Sequence, residues 1–428
     1  MDAATPYVAL SRFGLGRRGT EALPTNPASW LESQLGGADG PAATTIAAGF
    51  AALQQVIETK PGPGDPNPVR ALFQTDIAAL AEAALTTAAP FRERLVHFWA
   101  NHFTVSVRDG QVAAFAGDFV ASAIRPHVTG RFGDMLLAVM RHPAMLLYLN
   151  QAGSIGPNSP AGRRTHRGLN ENLARESLEL HTVGVVSGYT QEDVTSYARI
   201  LTGWSLDRQP PNAGFRFRPM AHEPGAKALL GRQFPEGEQG GIEALAFLAG
   251  HPATHRHLAT KLVRHFATDD PAPGDVAVIE AALRDTGGDL GAAARALTRL
   301  PSAWRPLAKL RTPQEYLFAA VRAADLAPAQ RPPMQGIAAG LGQPFLNAPL
   351  PNGWGDTASD WAGPEAVLRR VDWAYGFAGR PELPEPDALA EAALGPLLTP
   401  ATLTAIHRAG SRRDAITLFL SAPEFQRR

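Results

Sequence analysis

The chain has 428 residues, with 40 Lys+Arg against 40 Asp+Glu, 41 Gly, 37 Pro and no Cys. Zero net charge gives no long-range field for gathering nucleic acid or an anionic membrane surface. The absence of Cys excludes disulfides, thiolate nucleophiles and Cys-ligated metal centres, and a 45% apolar content excludes wholesale disorder.

No run reaches the roughly 18 uninterrupted apolar residues of a membrane span. The start, with Asp2 and no long apolar stretch, is not a signal peptide. The compartment stays open: cytoplasmic for the chain as it stands, periplasmic if a leader was removed. The basic residues are nearly all Arg, with only Lys60, Lys227, Lys261 and Lys309 as lysines.

In chain order, residues 27–58 carry helical spacing (Trp30, Leu31, Leu35, then Phe50, Leu53, Val56), interrupted by the glycine-rich stretch Gly36–Gly40. The proline-rich run Lys60–Pro68 predicts a linker between an N-terminal helical segment, 1–60, and a main domain, 69–428. Helices are expected over 69–87, 90–106, 110–126, 131–149, 170–183 and 191–203. An irregular insertion over 207–240 follows, with Phe215 and Phe217 alternating as in a hairpin arm. Helical spacing resumes at 240–250, 252–268, 275–285, 289–299 and 312–325. A second irregular insertion, 329–363, holds Trp354 and Trp361, and the remainder is helical. The expected fold is mainly α: one large multi-helix domain with two long irregular insertions and at most a short β-hairpin.

The densest polar run is 170–184. Asn170 is placed as an N-cap and Gly184 as a C-cap. Glu171, Arg175 and Glu179 are spaced i, i+4, i+8 as a charged ladder, and Glu176 sits on the border with the apolar Leu173/Leu180 face. A carboxylate there is partly desolvated, which raises its pKa and suits general acid–base work, although such ladders are more often solvated faces or structural ion pairs. Thr190 and Asp193 predict a capping box on the next helix. Pro90 opens an aromatic helix in which His97 and His102 are five apart, too far around the helix to share one metal. His222, Glu223 and Lys227 fall together in the first insertion. Pro252 reads as a first helical residue after His251. The chain has no dinucleotide or Walker glycine motif, no His-Glu-x-x-His and no Gly-x-Ser-x-Gly.

The run Asn170-Glu171-Asn172-x-Ala174-Arg175-Glu176-x-x-Glu179-x-His181-Thr182-x-Gly184, followed by Gly188-Tyr189-Thr190 and Leu201-Thr202-Gly203-Trp204, resembles the signature of bacterial domain-of-unknown-function family 1800 (DUF1800). Supporting pieces are Ser11-Arg12-Phe13-Gly14, Phe98-Trp99-x-Asn101-His102-Phe103, His222-x-x-Gly225-x-Lys227 and Lys261-Leu262. The resemblance implies a helical protein from a family with many exported members, often encoded beside a sulfatase-like partner. It carries no settled activity. Many relatives have a second His where this chain has Ala100, so a paired-His site on that helix is broken here.

Together these readings lead to an expected acid–base hydrolase or lyase, independent of metal and cofactor, acting on a carbohydrate or other polymer. Glu176, Glu171, Glu179, Arg175 and His181 are the expected catalytic set. His102, Asn172, Trp204, His222, Lys227 and Trp354 are the expected substrate-binding set. The alternatives are a non-catalytic accessory protein of a sulfatase-like partner, with the polar run as an ion-pair network, and a weaker option of a metal site at His102, His181 and His222.

Overall fold

A computed structural model describes residues 2–37, 40–41 and 43–428, so part of the expected Gly36–Gly40 interruption lies outside the described residues. The fold is mainly α, and among the described residues the only sheets are two antiparallel two-stranded ones. No helix among them is long and apolar enough to cross a membrane. Strands β1 (Trp204–Asp207) and β2 (Gly214–Phe217) pair with Trp204 opposite Phe217, and β3 (Lys227–Leu229) and β4 (Arg232–Phe234) pair with Lys227 opposite Phe234. The second hairpin lies within the first insertion and the first straddles its start, since β1 begins at Trp204; one hairpin at most was expected.

Five helices position the sites discussed below. They are α1 (Pro90–His102), α2 (Asn172–Glu176, continued by a π-helical turn, Ser177–His181), α3 (Gln191–Leu201), α4 (Pro252–Phe266) and α5 (Pro313–Ala324). Pro90, Pro252 and Pro313 open α1, α4 and α5, positions where the missing N–H costs no helical bond. His251 caps α4 through Nδ1, which accepts from the Ala253 N–H at 3.2 Å. The Thr190–Asp193 capping box on α3 is complete.

The expected helix over 131–149 is instead two, Phe132–Arg141 and Pro143–Tyr148. Pro143 forces the preceding His142 into an extended conformation, and the His142 ring then caps the new helix. Likewise α2 starts at Asn172 rather than after Asn170, whose Oδ1 accepts from the Asn172 N–H in a tight turn.

The apolar residues form two clusters. The larger joins Phe13, Leu31 and Phe50 to α1, α2, α3 and α4. The smaller gathers α5 and the helices after residue 364 around Tyr316, Phe377 and Phe419, with Tyr7 and Leu15 from the N-terminal segment. The N-terminal segment thus contributes to both. Between them lies a layer of buried arginines. Glu315 on α5 is clasped by Arg94 of α1 and by Arg428, whose Nε donates at 3.0 Å. Arg12 donates to the carbonyls of Phe266 (3.1 Å) and Ala267 (2.9 Å), so it caps the C-terminal end of α4 from the opposite end of the chain. Arg428 donates to the His265 carbonyl at 3.0 Å. The end of α4 is therefore held by fixed charges, which matters for the side chains it carries.

Candidate functional site

The expected catalytic residues on α2 divide into committed and uncommitted groups. Glu171 accepts from Thr195 Oγ1 at 2.6 Å, Gln191 Nε2 at 2.9 Å and Arg175 at 3.0 Å, which ties α2 to α3. The Thr195 hydrogen bond is the main cause holding its carboxyl below the ordinary range. Arg175 is turned to Glu171 and Gln191. Glu179 accepts from the Tyr189 hydroxyl at 3.4 Å. Glu176 has no hydrogen-bond or ion-pair partner among the described residues, and burial followed by repulsion from Glu179 raises its pKa. Asn172 is exposed.

The π turn closing α2 leaves backbone carbonyls without regular helical partners. Histidines fill the gap. His102 Nε2 donates to the His181 carbonyl at 3.2 Å, and His257 Nε2 donates to the Leu180 carbonyl at 3.0 Å. The His102 ring lies 6.1 Å from His181 and 6.3 Å from His257. Burial holds all three neutral: His181 is lowered to about 3, His257 to about 4, and His102 well below its ordinary value.

His222 lies elsewhere. Its Nδ1 donates to the Thr202 carbonyl at 2.8 Å, while Nε2 accepts from the Gly237 N–H at 2.9 Å and from Lys227 Nζ at 3.0 Å. Lys227 also donates to the Glu223 carbonyl. These groups brace the strand insertion and leave His222 apart from His102 and His181. Among the described residues no group of three or more His, Asp or Glu is disposed to hold a metal ion. Trp204 is fully buried, packed against Gly241 and under Arg141, and has no open face for a sugar.

A cavity of about 470 Å³ opens between α1, α4, α5 and the loop 341–357, and its wall includes Asn101, His102, Lys261, His265, Trp354 and Asp356. Of the expected residues, only His102 and Trp354 line it. The loop is pinned to α1 by a two-point clamp: Asn101 Oδ1 accepts from the Trp354 N–H at 2.8 Å, and Asn101 Nδ2 donates to the Trp354 carbonyl at 3.0 Å. Gly353, at φ 79°, passes so close that a Cβ would lie 2.5 Å from the Asn101 carbonyl oxygen, so only glycine fits. Trp354 and Trp361 pack with ring centroids 5.9 Å apart.

The clamp delivers Asp356 to α4. His265 Nδ1 donates to Asp356 at 2.8 Å (Oδ2) and 3.0 Å (Oδ1), and His265 Nε2 has no partner among the described residues. Burial lowers the His265 pKa against the pull of Asp356, so the ring is neutral with its lone pair on Nε2. Burial by itself would raise the Asp356 carboxyl, but His265 and Lys309 outweigh it and the net shift is downward. Lys309 ion-pairs with Asp269 and donates to the Asp356 carbonyl at 2.5 Å.

His265, Asp356 and the position of Asn101 were missed as site residues from sequence. A partial signal existed: Lys261 and His265 are spaced i, i+4 on one face of α4, and Asp356 lies in the second irregular insertion.

The family model described as "Protein of unknown function (DUF1800)" matches residues 8–427. The chain belongs to the DUF1800 family. No curated protein and no solved structure matches it. The polar run of the DUF1800 signature on α2 and the cavity thus occupy different places, joined by the His102–His181 contact.

Proposed function

We propose that the protein is an acid–base enzyme, a hydrolase or lyase acting on a carbohydrate or other polymer, with His265 as general base and Asp356 as the residue that orients it. The observation that carries this reading is the His265 Nδ1–Asp356 hydrogen bond in a residue that lines an open cavity, with Nε2 buried and unpartnered among the described residues. A neutral imidazole with a fixed tautomer takes a proton at Nε2 from water or from an acidic C–H, and the anionic Asp356 stabilises the imidazolium that forms. The same ring returns the proton to the leaving oxygen. A cavity of this size suits one or two sugar rings or an equivalent segment of another polymer, and Trp354, backed by Trp361, offers an aromatic wall.

Glu176 keeps the raised pKa of an acid but stands outside the cavity wall. The test is a screen of polysaccharides and glycosides against wild type, His265→Gln and Glu176→Gln in parallel. Activity lost in His265→Gln and retained in Glu176→Gln is the expected result. The reverse pattern moves the chemistry to α2.

A second reading, a non-catalytic accessory protein, draws support from how many acids are committed to structural pairs: Glu171 to Arg175, Glu315 to Arg94 and Arg428, and Asp269 to Lys309. Its partner would be the sulfatase-like protein suggested by the family resemblance. Polymer binding without cleavage, unchanged in His265→Gln, favours it.

A further inference from the structure

The chain has four lysines, and their environments differ sharply. Lys60 is exposed in the linker. Lys227 is held by His222 and the Glu223 carbonyl, and Lys309 by Asp269 and the Asp356 carbonyl. Lys261 lines the cavity, is partly buried, and has no hydrogen-bond or ion-pair partner among the described residues. It stands one helical turn before His265 on the same face of α4.

We infer that Lys261 is a nucleophilic amine that captures an aldehyde or ketone in this cavity as an imine, with the Asp356-oriented His265 beside it to move the protons. The inference rests on the cavity being the working site but not on polymer cleavage.

The groups facing Lys261 decide its charge. Arg264 comes from its own helix and Asp356 from the loop. His102 of α1, His181 of the π turn and His257 of α4 also sense the amine, and burial keeps all three uncharged. Only Asp356 favours the ammonium form, and it is already shared with His265 and Lys309. Burial therefore prevails and lowers the Lys261 pKa to about 8, which leaves a usable fraction of free amine near neutrality.

The neutral amine forms a C–N bond to the carbonyl carbon. Proton transfers, with His265 in the same cavity wall to take part, convert the carbonyl oxygen to water as the C=N bond forms. An external hydride donor, cyanoborohydride, reduces that bond to a stable secondary amine. The ligand class is thus a compound with a free carbonyl, such as an open-chain sugar or an oxo acid.

The experiment treats the intact protein with glyoxylate or with glycolaldehyde plus cyanoborohydride and maps the four lysines by peptide mass spectrometry over time. Expected is modification of Lys261 at least about tenfold faster than Lys60 with one or both probes, with a pH midpoint near 8. The preference should vanish in denaturing urea, and Lys261→Arg should remove one site while the others still react. Labelling of Lys60 with Lys261 unmodified overturns the inference, as does a preference that survives in urea. If Lys261→Arg does not fold, the wild-type map alone decides. Labelling needs no turnover of polymer, so its failure is separable from any failure of His265→Gln in the polymer screen.

Discussion

The α2 motif and the α4 cavity are built from similar residue types, yet their side chains are in opposite states. On α2, Glu171, Arg175 and Glu179 sit near the surface and spend their hydrogen-bonding capacity on Gln191, Thr195 and Tyr189. In the cavity, His265 Nε2, His102 Nδ1 and Lys261 keep capacity unspent, while Asp356, Lys309 and Glu315 are committed to ion pairs and hydrogen bonds. In the α2 run Glu171 and Arg175 fasten α2 to α3 while Glu176 stays unpartnered, and the proposed chemistry is assigned instead to unmet polar atoms backed by a rigid second layer.

The largest expected effect tests that second layer. Glu315→Ala leaves Arg94 and Arg428 buried without their counter-charge and should cost about 3–5 kcal/mol in urea denaturation. A loss below about 1 kcal/mol would mean that the arginine layer does not hold α4 in place.

Next is the chemistry itself. His265→Gln should lower polymer-cleaving activity by about 100-fold or more, whereas Glu176→Gln should change it by less than about threefold. The activity of wild type should fall as pH drops below the ordinary histidine range, because the lowered His265 pKa keeps the base neutral above it. An acid limb well above pH 7 would contradict the assignment.

A smaller effect concerns Lys261, whose folded pKa of about 8 lies below the ordinary 10.5. Below pH 8 both folded and unfolded chains carry the proton, so the full cost of burying the charge is present. That cost fades as pH rises toward 10.5, since the unfolded chain then binds more protons. Lys261→Met should stabilise the protein at pH 7 by about 1–3 kcal/mol, with the gain shrinking at alkaline pH. Equal gains at pH 7 and pH 10 would show that packing, not charge, is responsible.

The smallest effect belongs to α2. Glu171→Ala should cost less than about 1 kcal/mol in the same denaturation assay, because the Glu171–Arg175 pair is partly solvated and screened. A larger loss would erase the contrast between the two regions.

Much of the helical framework was legible in sequence because its signals are local. Pro90, Pro252 and the Thr190–Asp193 box act on the few residues next to them, and all three open helices where expected. The break at His142–Pro143 was equally local and was overlooked, since the apolar spacing continues across it. The site was much less legible. Trp204 looked like a binding aromatic but is core, and His222 and Lys227 looked like cavity groups but brace a hairpin.

From its sequence alone this protein is determined to be mainly helical, free of thiol chemistry, and a member of its family by a long motif. Only the tertiary structure brings Asp356 to His265, 91 residues away in the chain, through a loop clamped by Asn101 and a glycine at Gly353. Helix caps and apolar periodicity depend on neighbours within one or two turns. A side chain's charge and reactivity depend on which distant groups share its desolvated space, and that is settled only when the chain has packed.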